Sequence, residues 1–435
     1  GRCGGTVALA SGATQTGFGR TGTVDWQTTP KTATFTAVSG EGYFANTTGG
    51  AFNMNLPAGV AGAIVSVADY GATFQTNNLT VVPNGTDKIG STNANAILNT
   101  QGQSVTFVFV DSTQGWINTM DSTSNVRGNA FLTATGGTIT TSGNDKIHTF
   151  TGPGTFTVCT VASNTADNQV SYLVVAGGGA GGNGGCGDNA GGGGAGGFRE
   201  DKSPVTPYTA SPLEGAGAIT VTATTFPIVV GAGGATTPKQ GGAGNVSTFS
   251  TITSAGGGGG AANATGPGYC SPANGQGGSG GGGRGGGAAT PTPLIVGNTP
   301  TVSPAQGTPG GLGGAGSGGN PQSPDHGAGG GGGAGQPGQN TGNVVGGVGG
   351  NGSPTNISGS DVTRAGGGGG GAGPSMNAGG AGGSGGGGAG AKAGATTVAG
   401  TANTGGGGGG GNPGATPLPS AAGGSGIVII RYKFQ

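Results

Sequence analysis

Charge is the first thing this chain lacks. Lysine, arginine, aspartate and glutamate make up 6% of its 435 residues, against roughly a quarter in ordinary soluble domains. Basic and acidic residues stand at 14 each, which leaves no basic stripe to grip a phosphate backbone and argues against a nucleic-acid partner. Histidines number two. With His148 inside a predicted strand and His326 in the stretch SPDHG, a histidine triad, an HExxH helix or a histidine metal centre has almost no material. No apolar run approaches the ~20 residues that span a bilayer, so no membrane insertion is expected. The four cysteines, Cys3, Cys159, Cys186 and Cys270, lie far apart without a CxxC pair. That spacing disfavours zinc and redox motifs and leaves either disulfides, in any of three pairings, or free thiols. GxGxxG matches occur, but none follows a strand and opens a helix, and GxxxxGK[ST] is absent. Acids scattered among turns nominate no carboxylate pair for sugar cleavage. These gaps predict a protein that is not an enzyme and uses no cofactor or metal.

Glycine is what the chain has. It supplies 116 residues, 24 of them before Val175 and 92 after it. The earlier part reads as β. In AFNMNLPAG, Phe52, Met54 and Leu56 fall on one face and Asn53 and Asn55 on the other, the period of a half-buried strand. TATFTAV, GAIVSVADY, NLTVV and SVTFVFVD continue the pattern between turn signals such as VPNGT. We expect an N-terminal segment over 1–25, an all-β domain over 26–125 and a second β module over 126–176, both modules antiparallel. The end, GGSGIVIIRYKFQ, predicts a strand over 427–435 that is apolar on both faces. It could pair within the chain, or Ile427, Val428, Ile429 and Ile430 could be lent to a neighbouring subunit.

Between these lies a glycine-rich domain, 177–426. Ordering a residue costs ~1–2 kcal/mol, most of all for glycine, so something regular must offset it. Helix and ordinary sheet interiors are weakened by glycine, and collagen needs glycine at every third position. The extended left-handed helix with three residues per turn remains. Without Cβ atoms such helices approach closely enough for each amide to bond a neighbour. Runs at 256–260, 329–333, 366–371 and 405–411 would make rods of ~15–22 Å at a rise of ~3.1 Å. The fold expected is therefore all-β modules followed by a slab of packed polyglycine II helices. Alanines closing the runs (Ala195, Ala334, Ala372, Ala389) would face outward or sit at edges. Segments rich in Pro, Asn, Ser and Thr become loops at the ends of the slab.

The order of the blocks VDWQTTPKTATFTAVSGEGYFANTTGGAFNMNLPAG, GQSVTFVFVDSTQGWINT, ATGGTITTSGNDKIHTFTGPGTFTV, YLVVAGGGAGG and GGSGIVIIRYK resembles tail-fibre proteins of tailed bacteriophages, particularly those of cyanobacterial hosts. The resemblance runs from Trp26 nearly to the end. It implies β modules along a fibre, then a glycine-rich tip whose loops touch a host surface. Tyr208, Tyr269, His326, Arg364 and Met376 become candidate surface-contact residues, and the expected partners are other copies of the chain and a host cell-surface glycan or protein. The expected setting is extracellular, as a virion fibre or a cell-surface filament. A self-polymerising filament subunit, assembled by strand donation, is the alternative.

Overall fold

The computed structural model describes residues 24–122, 131–184, 189–215, 217–238, 240–262, 275–286, 295–314, 326–341, 345–373, 376, 378–392, 395–412 and 420–435. They form two compact units, divided after Gly128.

The first unit contains β1 (Asp25–Lys31), β2 (Phe35–Thr36), β3 (Glu41–Ala45), β4 (Phe52–Asn55), β5 (Ile64–Asp69), β6 (Leu79–Val82), β7 (Ala96–Leu98), β8 (Ser104–Phe109) and β9 (Trp116–Ser122). Two sheets result, β1-β3-β5-β8-β9 and β2-β4-β6-β7. From β1 to β6 the chain alternates between the sheets and returns parallel to itself, Gly42 beside Ser66 and Met54 beside Val81. Antiparallel pairing was the expectation. Alternation of apolar residues reports which face is buried and is blind to strand direction, so the coil-like winding was not visible in it. Met54, Leu56, Val67, Phe74, Leu79 and Trp116 fill the space between the sheets. The Asp69 carboxylate accepts the amides of Thr73, Phe74 and Gly102 at 3.0–3.2 Å, tying the turn after β5 to the segment before β8.

The second unit contains β10 (Thr133–Thr135), β11 (Thr138–Ser142), β12 (Asp145–Phe150), β13 (Gly154–Thr160), β14 (Gln169–Val175), β15 (Phe198–Asp201), β16 (Ile219–Thr220), β17 (Thr225–Val229), β18 (Ser247–Phe249), β19 (Ile252–Ser254), β20 (Ser353–Thr355), β21 (Val362–Arg364) and β22 (Ile427–Lys433). One sheet runs β11-β12-β22-β14-β15 with β16 beside β14, a second runs β10-β13-β17-β18-β19, and β20–β21 is a hairpin. The β module and the glycine-rich region are thus one unit, because β15 to β19, which lie beyond residue 176, complete its sheets.

β22 is buried on both faces, as its sequence predicted. Val428, Ile430 and Tyr432 join Phe156, Tyr172 and Phe249 on one side, while Ile427 and Ile429 join Leu173, Phe198 and Ile357 on the other. Its two edges are occupied within its own chain. Val428 pairs with Phe150 of β12 and with Val174 of β14, and Ile430 with His148 and Tyr172. Ile427, Val428, Ile429 and Ile430 are therefore a central strand here and not one held free for a neighbour. A run apolar on both faces is most stable where sheet and core enclose it on every side.

The glycine runs bond one another in a three-residue rhythm. Gly177, Gly178 and Gly179 donate to Asn245, Gly424 and Gly194, and the next three residues, Ala180, Gly181 and Gly182, donate to Gly242, Ala421 and Gly191. Each neighbour is revisited after three residues, the repeat of an extended helix with three residues per turn. The run 190–197 shows the packing in full. Its amides go to 405–411, 255–261 and 329–332, and its carbonyls take amides from 179–182, 279–282 and 368–371. Six runs therefore ring it. The run 366–371 is ringed in the same way, by 385–391, 347–350, 190–193, 328–334, 380–383 and 407–410. The slab is more than one layer deep, and its interior positions are the uninterrupted glycine runs. Outer runs instead carry a side chain every third residue, such as Val345, Val348 and Asn351, or the exposed Ala378, Ala381 and Ser384.

Ala195, Ala334 and Ala372 were expected to face outward or sit at edges; all three are buried, at 0–2% exposure. Ala195 and Ala334 lie where runs meet strands, and their methyl groups fill the apolar cluster around Leu173 and Phe198.

Candidate functional site

The glycine runs have two unlike ends. At one, strands turn directly into runs, β14 into 177–182 and β22 out of 420–426, and the Ala176 amide still donates to Gly197 across that junction. At the other lie the run ends around 183–184, 189–190, 313–314, 326–327, 341, 371–373, 391–392 and 411–412, bonded to one another. Side chains and backbone close over this end. Asn189 Nδ2 donates to the His326 carbonyl at 2.6 Å, Asn183 Nδ2 to Thr237 at 3.4 Å and Asn412 Nδ2 to Ala372 at 3.5 Å. The amide of Gly286 donates to Gly314 at 3.1 Å, and that of Gly314 to Gly327 at 3.0 Å.

Two of the sequence candidates, His326 and Met376, lie at this end. A Cβ built on Gly327, the residue after His326, would lie 2.3 Å from Thr341 Oγ1 and 2.9 Å from the Met376 methyl. His326 is half-buried. Met376 is 6% exposed, its sulfur accepting the Gly373 amide at 3.3 Å, so it packs beneath this end instead of facing out. Tyr269 lies outside the described residues. Asn183, Asn189 and Thr341 help build this end and were not singled out from sequence. For Asn183 and Asn189 a signal was available, since each lies beside or one residue from a glycine run; for Thr341 none was.

Tyr208 and Arg364 occupy a different place. Both were expected on surface loops, and both are buried, at 7% and 6% exposure. The segment NGSPTNISGSDVTRA folds as the β20–β21 hairpin, whose Ile357 joins Ile147 and Ile429 in the core. Buried Glu200 binds the hairpin to the sheet, accepting the Ser211 amide at 2.9 Å and the Thr355 hydroxyl. Burial pushes the Glu200 carboxyl above the usual carboxylate range, against the pull of those hydrogen bonds. Burial likewise lowers Arg364, opposed by the charge of Glu200. The Tyr208 hydroxyl is pushed up by burial and then by Glu200, while its ring lies 5.1 Å beneath the Arg431 guanidinium. Arg431 donates through Nε to Asp145 Oδ2 at 2.7 Å and through Nη1 to the Asn356 carbonyl at 3.3 Å. Glu200 and Arg431 thus fasten the hairpin to the sheet, through the Thr355 hydroxyl and the Asn356 carbonyl.

Cys159 is exposed and its thiol is free, while Cys3, Cys186 and Cys270 lie outside the described residues. Among the described residues no group of three or more His, Cys, Asp or Glu side chains could hold a metal ion.

A family model described as a glycine-rich domain matches residues 149–433. The chain belongs to this glycine-rich domain family. The match opens in β12 and closes at the end of β22, two strands paired edge to edge through Thr149 and Ile429. The glycine-rich domain thus includes the sheet that closes one end of the runs as well as the runs themselves. No curated protein matches the chain.

Proposed function

We propose that this is a non-enzymatic, extracellular structural fibre protein of the tail-fibre kind. In this reading the glycine-rich domain is a stiff tip that attaches to a cell-surface glycan or protein through the connections at its far end. The observation that carries the reading is the division of labour between the two ends. Strands enter at one, and the other is built from run ends fastened by Asn183, Asn189 and Asn412. Loops on a rigid scaffold can vary without disturbing what holds them. The three-residue hydrogen-bond repeat supports treating the runs as polyglycine II helices, whose buried amides and carbonyls are nearly all paired. Each such bond contributes only about 1 kcal/mol net, and the stiffness comes from their number. Binding to intact cells tests the proposal. Replacing 315–325 and 413–419 by Gly-Ser segments of equal length should abolish attachment while leaving the melting temperature within a few degrees. Attachment unchanged by both replacements, or release of reducing sugar from the surface polysaccharide, would overturn it.

A further inference from the structure

Sheet edges are where β proteins join, and natural edges are guarded by charge, proline or shortness. Among the described strands, the edges follow that rule with one exception. β1 carries Asp25, Pro30 and Lys31, β9 carries Asp121, and β15 reads FRED. β2, β7, β10, β16 and β19 are two or three residues long. β11, Thr138–Ser142, reads TITTS: five residues with no charge, proline or glycine, four of them β-branched. It pairs with β12 alone among the described strands, none of which lies on its other edge, and four of its five residues are exposed. Ile139, beside its central Thr140, is 44% exposed and borders a groove lined by Leu132, Ala134, Lys146, Tyr432 and Phe434.

We infer that β11 is a self-association edge that takes the same strand of a second copy, antiparallel, about a two-fold axis at Thr140. A two-fold brings identical groups together, so a charged edge would repel itself. TITTS carries no charge, and the pairing sets threonine against the partner's Thr140, with Ile139 covered by the partner's Thr141. Backbone hydrogen bonds supply the association and the groove beside Ile139 the side-chain fit, the usual split in strand addition. The inference stands apart from the attachment reading, since it concerns how copies join and not what the tip touches.

Charge-swap variants of the whole chain test it, with molar mass followed by light scattering across the micromolar range. The wild-type chain should reach dimer mass. Thr140→Lys and Thr140→Glu should each remain monomers with an unchanged circular dichroism spectrum, and an equimolar mixture of the two should regain dimer mass. A wild-type chain that stays monomeric, a single variant that still dimerises, or a mixture that fails to recover would each overturn the proposal.

Discussion

The amide of Gly193 donates to the carbonyl of Gly408 at 2.8 Å. The preceding residue on that second run, Gly407, sits so close that a Cβ placed on it would lie 2.0 Å from the Gly193 carbonyl oxygen. This pair explains how a chain so poor in side chains orders itself. The absent methyl groups are what let backbones reach hydrogen-bonding distance of each other, and the bonds formed there offset the entropy glycine loses.

Gly407→Ala should therefore destabilise the second unit by about 1–3 kcal/mol or more, the cost of overpacking where only backbone can yield. Gly152→Ala, at a glycine where an added Cβ meets nothing within 4 Å, should stay within about 0.5 kcal/mol of wild type. Urea unfolding of the two variants checks both values.

Asp145 and Arg431 form a buried ion pair, with side chains 1% and 5% exposed. Asp145→Ala strands the guanidinium and should cost about 3–5 kcal/mol. Adding Arg431→Met should recover part of that loss, since an apolar chain of similar length needs no partner. Denaturation midpoints of the single and double variants decide the matter.

His148 is fully buried, with Nδ1 2.7 Å from the Gly136 carbonyl and Nε2 3.3 Å from the Tyr432 hydroxyl. Burial is the main cause holding its pKa below 6.5, partly opposed by the bond to Gly136. As pH falls below 6.5 the unfolded chain takes up this proton before the folded one does, so stability declines from that point down to the folded pKa. Imidazole NMR should show His148 titrating below 6.5, and His148→Gln should flatten the acid-side loss of stability.

Much of the fold was legible in the sequence. In FNMN, Phe52 and Met54 are buried and Asn53 is exposed, as the alternation required. IVII is buried on both faces, as a run without polar interruption requires. The glycine runs had to pair with each other because nothing else could satisfy their amides. What escaped depends on partners distant in sequence. Whether Gly42 lies parallel to Ser66 is decided by connections and not by alternation. Arg364 and Tyr208 sit in polar, loop-like text, yet Glu200 and Ile357 draw them inside. A side chain at every third position, as in Ala378, Ala381 and Ser384, marks an outer run, while unbroken glycine marks an interior one.

Amide hydrogen exchange along the glycine runs tests the central claim most directly. With every amide in 366–371 bonded to another run, exchange there and in 190–197 should be as slow as global unfolding permits, on a par with β22. Exchange at the rate of an unstructured polyglycine chain in those runs would contradict the account.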